Sequence, residues 1–246
     1  WTSSLAGGIK TSSAQGSTMA ERLADGVWLL DLAQVPVFGA NAFLVDDGEV
    51  TLVDAGLPWA GLGAELAAAS YAPADVDRVL LTHYDLDHVG GLGDLPLDAP
   101  AYVGARDAAL ATGSYDPPWL HHKGAFHRLA RRFWSLPADL DLRPVDDGQR
   151  VGGFTVYHTP GHNPGHVAYV HDDLGVGLLG DLVWEENGDL TPPEWWDSYD
   201  VARLHESIRR FAGATPSLSV LCPGHGDPIV GGGSARLDDL ASRLTS

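Results

Sequence analysis

Two histidines and two aspartates stand close together in a short segment that follows an apolar run. The segment reads LLTHYDLDHVGG over residues 80–91. Imidazole and carboxylate groups are suitable ligands for zinc, iron and manganese. Side chains two positions apart in an extended segment point to the same side, so His83, Asp85 and Asp87 can converge on one spot while His88 faces a neighbouring one. The residue types and their spacing therefore indicate a metal site.

Four more polar residues stand at the ends of other apolar runs. They are Asp54 in LVDAG, His162 in TPGHNPGH, Asp181 in LLGDLVW and His225 in CPGHGDP. Functional loops gather at one edge of a sheet, where these residues can meet residues 80–91. One carboxylate flanked by histidines can hold two divalent ions about 3.5 to 4 Å apart. We therefore expect two divalent metal ions at this edge.

The elements that must position these residues alternate between strand and helix. Short runs rich in β-formers, such as VPVFG and NAFLVDD, follow one another up to Asp54, and VDRVLLTH leads to His83. Alanine-rich or amphipathic stretches predict the intervening helices, which cover residues 59–70, 106–112, 126–134, 199–212 and 234–244. Strands and helices that alternate in two similar halves imply sheets covered by helices rather than a helical bundle or an all-β sandwich.

The composition suits one globular domain, or two small ones at most. The chain has 246 residues, of which 44% are hydrophobic and 20% are charged. Residues 1–18 are rich in serine, glycine and threonine without a period, so we expect a leader or tag that is not part of the fold. The predicted domain covers residues 19–246. Within it, residues 113–144 form an irregular insertion that should face the substrate.

The charge balance restricts the partners. Aspartate and glutamate number 33 against 15 lysines and arginines, which gives a net charge of −18. Such a surface repels phosphate backbones, so we expect no nucleic-acid partner. The acidity fits either a halophilic source or an ordinary acidic bacterial protein with a GC-rich gene. No apolar stretch is long enough to cross a bilayer. We expect a cytoplasmic monomer or homodimer that acts on a small molecule and has no membrane partner.

The five motifs occur in the order that is typical of one known family. They resemble the metallo-β-lactamase superfamily, whose pattern is an aspartate after a strand, then His-x-His-x-Asp-His, then a histidine, a bridging aspartate and a final histidine. The resemblance extends over residues 26–246. It implies an αββα sandwich, with two mixed β-sheets packed face to face, helices on both outer faces and the metal site at one edge of the sheets.

The resemblance also gives each motif a role. At the first metal ion it implies three ligands, which are His83, His162 and Asp181. At the second metal ion it implies four ligands, which are Asp87, His88, Asp181 and His225. Asp54 would be a structural carboxylate that steadies the site. His166 would support its loop without binding metal.

Asp85 stands where the family usually has a histidine ligand of the first metal ion. A carboxylate there resembles the flavodiiron branch, which has glutamate at this position and binds two irons. If Asp85 is a ligand, its harder oxygen shifts the preference from zinc, the metal we otherwise expect, toward iron or manganese, or leaves the first site only partly filled. Asp85 can alternatively point away and leave a mononuclear site. The sequence is compatible with each outcome.

Hydrolysis is the chemistry that such a site favours. A divalent pair lowers the pKa of bound water from roughly 15.7 to about 7 and polarises a carbonyl oxygen. Asp87 or Asp181 would be the catalytic carboxylate that orients the hydroxide and passes a proton to the leaving group. We expect a metal-bound hydroxide to attack a small ester, thioester or lactone. The alternatives are a non-haem iron oxidoreductase, flavodiiron-like or persulfide dioxygenase-like, a less favoured nuclease, and a non-enzymatic binding protein.

Aromatic side chains near the motifs can form the apolar wall of a substrate site. We expect Tyr84, Trp119 and Trp184 to contact substrate, although such aromatic groups can equally pack against the core. Cys222 is expected to be a small buried hydrophobe. The histidines outside the motifs are expected to be ordinary polar surface residues, and these are His121, His122, His127, His158, His171 and His205.

Overall fold

The first of two main sheets contains seven strands in chain order. The protein is described by a computed structural model that covers residues 20–32 and 39–244. The strands are β1 (Glu21–Ala24), β2 (Val27–Leu30), β3 (Ala42–Asp46), β4 (Val50–Val53), β5 (Arg78–Leu80), β6 (Ala101–Gly104) and β7 (Leu142–Val145). β1 to β4 pair antiparallel and β4 to β7 pair parallel, so the sheet is mixed. The expected leader, 1–18, and most of the predicted strand VPVFG lie outside the described residues.

The second sheet contains six strands and is also mixed. They are β8 (Arg150–Val151), β9 (Phe154–His158), β10 (Val167–His171), β11 (Val176–Gly180), β14 (Val220–Pro223) and β15 (Ile229–Val230). Their order across the sheet is β15-β14-β11-β10-β9-β8. β11 and β14 are parallel and the other neighbours are antiparallel. Between β11 and β14 in the chain, β12 (Trp184–Glu186) and β13 (Asp189–Thr191) form a separate hairpin.

Side-chain alternation along the strands divides the apolar residues into three layers. Phe43 and Val53 of the first sheet pack against Val156 and Tyr169 of the second, and all four are at most 3% exposed. Leu44, next to Phe43, points to the opposite face and packs with helices. Those helices are α1 (Leu62–Ala68), α2 (Leu86–Val89) and α3 (Ala105–Thr112). The outer face of the second sheet is covered by α5 (Val201–Ala214) and α6 (Gly233–Arg243). The predicted αββα sandwich is confirmed.

Two helices begin three or more residues from the start that the sequence predicted. The helix predicted over 59–70 is shorter, because Trp59 and Gly61 have φ angles of 61° and 94°, which a right-handed helix does not accept. The helix predicted over 126–134 is α4 (His122–Ala130), which begins earlier because the ring of His121 accepts a hydrogen bond from the N–H of Gly124. Over residues 20–32 and 39–244, no helix is both long and apolar enough to cross a bilayer.

Candidate metal centre

The polar motifs meet at one edge of the sandwich. Asp54 directly follows β4 and residues 83–88 follow β5, its parallel neighbour. Asp181 directly follows β11, and His225 follows β14, again a parallel pair. His162 lies in the loop after β9. Parallel neighbours end at the same edge of a sheet, and this topology therefore brings together side chains that are far apart in the chain.

One group of ligand atoms contains His83, Asp85, His162 and Asp181. His162 Nε2 lies 3.2 Å from His83 Nε2, 3.3 Å from Asp85 Oδ2 and 3.5 Å from Asp181 Oδ2. His83 Nε2 and Asp85 Oδ2 are 3.5 Å apart. Tetrahedral ligands with bonds of 2.0–2.2 Å are separated by about 3.3 to 3.6 Å. The spacing of these atoms therefore fits a divalent metal ion.

A second group contains Asp87, His88, His225 and Asp181. One ligand atom from each of Asp87, His88 and His225 lies within 4.8 Å of the others. Asp181 joins them, with Oδ1 at 3.3 Å from His88 Nε2 and Oδ2 at 3.3 Å from His225 Nε2. His88 Nε2 and Asp181 Oδ1 are buried and have no hydrogen-bond partner among the described residues. Because buried polar atoms are normally paired, these two atoms are suited to bind a metal ion.

The electrostatics of Asp181 suit a carboxylate that both groups share. Burial acts to raise its pKa, but His225, His88 and His162 outweigh burial and hold the pKa well below its usual range. Burial lowers the pKa of His83, helped by the neighbouring His88, and so favours the neutral imidazole that binds metals. These directions leave His83 and Asp181 in the protonation states that coordination requires. In the second group, burial acts to lower the pKa of His88 and His225, but the carboxylate of Asp181 outweighs it and raises both pKa values, so metal binding there must displace protons.

Asp54 holds the second group in place through hydrogen bonds. Its Oδ2 lies 2.8 Å from His88 Nδ1 and accepts a bond of 2.7 Å from the Thr82 hydroxyl. Its Oδ1 accepts the backbone N–H of Thr82 at 2.8 Å. A carboxylate on one ring nitrogen of a histidine directs the other nitrogen toward a metal ion. The structure thus places Asp54 where the resemblance implied a structural carboxylate.

Two other residues support the surrounding loops. His166 is fully buried, and its Nδ1 lies 2.8 Å from the Thr159 hydroxyl, outside both groups of ligand atoms. Asn41, which no sequence motif singled out, donates its side-chain N–H groups to the carbonyls of Pro223 and Gly226 at 3.1 and 2.7 Å. Asn41 therefore ties the first sheet to the loop that carries His225.

Asp85 faces the metal centre with one oxygen and is held by hydrogen bonds at the other. Its Oδ1 lies 2.7 Å from His127 Nε2 and accepts an N–H of Asn163 at 2.8 Å. Its Oδ2, the atom near His83 and His162, lies 2.9 Å from Lys123 Nζ. Asp85 therefore does not point away from the site.

Lys123 and His127 are the functional neighbours that sequence reasoning missed. Both lie on the inner face of α4 and are at most 4% exposed. Burial acts to lower the pKa of Lys123, but the carboxylates of Asp85 and Asp197 outweigh it and raise the pKa. The prediction that His127 lies on the surface was wrong, because its ring is buried and its Nε2 lies 2.7 Å from Asp85 Oδ1. A lysine and a histidine four residues apart, one just before the predicted helix 126–134 and one inside it, were the available signal.

A pocket with a volume of about 190 Å³ lies next to the ligand segment, although none of the candidate metal ligands lines it. Tyr84 and Leu86, which lie between the ligands in the chain, line it together with Phe133 and Trp134 of the irregular insertion. His127, which contacts Asp85, also lines it. The Tyr84 hydroxyl donates to the carbonyl of Trp134 at 3.1 Å and so joins the ligand segment to the insertion.

The other predicted substrate residues lie in different surroundings. Trp184 packs edge-on against His225, with ring centroids 4.9 Å apart. Trp119 is 63% exposed, carries the Arg128 guanidinium over its ring and is absent from the pocket lining. The surface assignment of His171 was also wrong, because its ring is buried and lies 2.8 Å from a carboxylate oxygen of Asp47.

Comparisons with known proteins agree with this architecture. The family model of the metallo-beta-lactamase superfamily matches residues 35–225. The probable metallo-hydrolase YflN of Bacillus subtilis is 29% identical in an alignment of 226 positions that covers 79% of this chain and 82% of that protein. A hydroxyacylglutathione hydrolase of Cereibacter sphaeroides is 32% identical in an alignment of 206 positions that covers 80% of this chain and 66% of that protein.

Solved structures extend the likeness to three dimensions. The family protein TTHA1429 from Thermus thermophilus superposes with a TM-score of 0.66 at 26% identity, covering 91% of this chain and 81% of that one. TTHA1623 in a di-iron-bound form superposes with a TM-score of 0.62 at 29% identity, covering 85% of this chain and 98% of that one. With its sandwich and its shared aspartate between histidines, the chain belongs to the metallo-beta-lactamase superfamily.

Proposed function

We propose that this protein is a metal-dependent hydrolase of a small ester, thioester or lactone. The observation that carries the proposal is the pair of His/Asp groups that share Asp181. An apolar pocket next to the ligand segment, lined by His127, a neighbour of Asp85, supports it. A divalent ion bound there would lower the pKa of its bound water to about 7 and would polarise a carbonyl oxygen. Zinc is the metal we propose first, since the two groups offer mainly imidazole with carboxylate.

The two candidate catalytic carboxylates have different roles in this proposal. Asp181 lies among three histidines and is held ionised, which suits a ligand. Burial raises the pKa of Asp87, so its carboxyl group takes up a proton more easily. Asp87 is the group that we propose to orient the attacking water and to pass a proton to the leaving group, since Asp181 is shared by both groups of ligand atoms.

The pocket favours a small apolar group on the substrate. Its volume of about 190 Å³ is below the range of pockets for drug-sized ligands, about 300–1,000 Å³. Its aromatic lining suits a short acyl chain or an aryl ring. The relative named hydroxyacylglutathione hydrolase supports a thioester within this class.

The test is a substrate panel on protein loaded with a defined metal. Aryl esters of increasing acyl length, acyl thioesters and lactones would be assayed with zinc, manganese and iron. We expect hydrolysis that chelation abolishes and Asp181→Asn greatly reduces. Trp134→Ala should alter the preference for acyl length, whereas Trp119→Ala, which removes a tryptophan outside the pocket, should not. Absence of hydrolysis with every metal would reject the proposal.

One observation favours an iron oxidoreductase as the second candidate. Asp85 supplies an oxygen to the first group, and a similar protein has been solved in a di-iron-bound form. Iron retained through purification, together with oxygen consumption and no hydrolysis, would move this candidate ahead of the hydrolase.

A further inference from the structure

Lys123 occupies a cation site that the protein itself builds beside the first group. Asp85, His162 and Asp197 have ligand atoms that lie within 4.8 Å of one another, as a metal site would. Lys123 Nζ lies 2.9 Å from Asp85 Oδ2, 2.7 Å from His162 Nε2 and 3.4 Å from Asp197 Oδ1. It also donates to the Asp197 carbonyl at 2.8 Å. A side-chain ammonium therefore stands where these groups could hold a metal ion.

The ammonium shares His162 with the first metal group without blocking it. Nζ is 2.7 Å from His162 Nε2 and 3.4 Å from His162 Nδ1. An ammonium on the lone-pair axis of Nε2 would lie much farther from Nδ1, because the ring would separate them. Lys123 Nζ thus lies over the ring and off the lone-pair axis of Nε2, which is 3.2 Å from His83 Nε2 and 3.5 Å from Asp181 Oδ2.

The two metal groups consequently differ in charge. In the first group the charge of Asp85 is already balanced by Lys123, and its Oδ1 is occupied by His127 and Asn163. The second group has two carboxylates, Asp87 and Asp181. Neither forms an ion pair with a described lysine or arginine.

We propose that Lys123 acts as a resident cation that makes the two metal positions unequal, so that one divalent ion binds tightly at Asp87, His88, Asp181 and His225 and a second binds weakly. This inference rests on the metal site of the proposed function. Repulsion between charges of +1 and +2 about 4 Å apart weakens binding about thirtyfold even at the dielectric constant of water. We therefore expect the two dissociation constants to differ by at least about thirtyfold.

The test counts metal ions rather than turnover. Metal-free protein would be titrated with Zn²⁺ by calorimetry, and the metal retained after gel filtration would be measured by mass spectrometry. The wild-type protein should keep one ion per chain, and Lys123→Met should keep two. Arg128→Met removes a positive charge from the same helix, away from the ligand atoms, and should behave as wild type. Lys123→Gln, which retains polar contacts with Asp85, replaces Lys123→Met if that variant does not fold.

Two results would overturn the inference. One is a wild-type protein that keeps two ions with affinities within tenfold of each other. The other is a charge-neutral Lys123 variant that still keeps only one ion. The proposed function fails separately: a protein that holds metal as expected but hydrolyses nothing would reject the hydrolase and leave the inference standing. A protein that binds two ions equally tightly and hydrolyses the substrate would support the hydrolase and reject the inference about Lys123.

Discussion

Replacing Asp54 by asparagine removes one oxygen from a carboxylate that has three donors. Thr82 donates to Asp54 from its backbone and its hydroxyl, and His88 Nδ1 lies 2.8 Å from Oδ2. If the amide nitrogen of Asp54→Asn faces His88, the ring must carry its proton on Nε2, which then cannot bind metal. If the amide nitrogen instead takes the place of Oδ1, its N–H groups face the backbone N–H of Thr82, and two donors meet without an acceptor. Both orientations of the amide are therefore unfavourable.

The expected size of the Asp54→Asn effect follows from these contacts. An unsatisfied buried donor costs about 1–3 kcal/mol of unfolding free energy. Loss of the group that orients a metal-binding histidine typically weakens metal affinity 10- to 100-fold. At saturating metal, where stabilisation grows with the logarithm of affinity, this weakening removes about 1.4–2.8 kcal/mol more. The variant should therefore lose more stability with metal than without it.

Two experiments on Asp54→Asn measure these effects. Urea unfolding with chelator and with saturating Zn²⁺ gives the loss of stability, and a Zn²⁺ titration gives the loss of metal affinity. Asp47→Asn is the matched control, because Asp47 also lies 2.8 Å from a nitrogen of a buried histidine, His171, away from the metal groups. The control should lose stability equally with and without metal. If Asp54→Asn bound Zn²⁺ within twofold of wild type, the argument that Asp54 orients His88 would be refuted.

Three further outcomes test the packing and the metal centre. Cys222 is fully buried and burial raises the pKa of its thiol, so a thiol reagent should label it only when the chain unfolds. The rate of labelling should therefore equal the unfolding rate measured by fluorescence. Gly224→Ala would place a Cβ against Asp181 Oδ1 and should abolish tight metal binding in a titration. Gly213→Ala places its Cβ in open space on α5, so it should raise the unfolding free energy measured in urea by up to about 1 kcal/mol. Zn²⁺ at about 100 times its dissociation constant should stabilise the chain by about 2.7 kcal/mol in the same unfolding assay, and chelator should reverse this.

The fold could be predicted because its signals are local in the sequence. Strands such as β3 alternate between the two sides of the first sheet, as Phe43 and Leu44 show, and the pattern survives without knowledge of the partner sheet. Helix ends were less predictable, since the start of α4 depends on a hydrogen bond from Gly124 to the ring of His121. A histidine is an unusual helix cap, and no pattern of apolar residues announces it.

The predicted ligands meet in the structure because each follows a strand that ends at the same edge. Lys123 and His127 could not be found in this way, since they belong to a helix in the irregular insertion and their partner Asp85 lies 38 and 42 residues before them in the chain. The sequence predicts a helix only from residue 126, and only the structure shows that Lys123 is both helical and buried. Trp119 gives the opposite lesson, because its position in the insertion is near the pocket in sequence but its ring faces solvent.

The attachment of α4 also bears on how this protein can diversify. Lys123 and His127 fasten one side of the helix to Asp85, whereas Phe126, a pocket-lining neighbour, is half exposed. Substitutions at Phe126 should change the shape of the pocket and leave the contacts of Lys123 with the ligand atoms in place, although the Phe126 ring also packs against His127. Under the proposed function, selection can therefore vary the pocket at Phe126 while Lys123 keeps its place beside the candidate ligands.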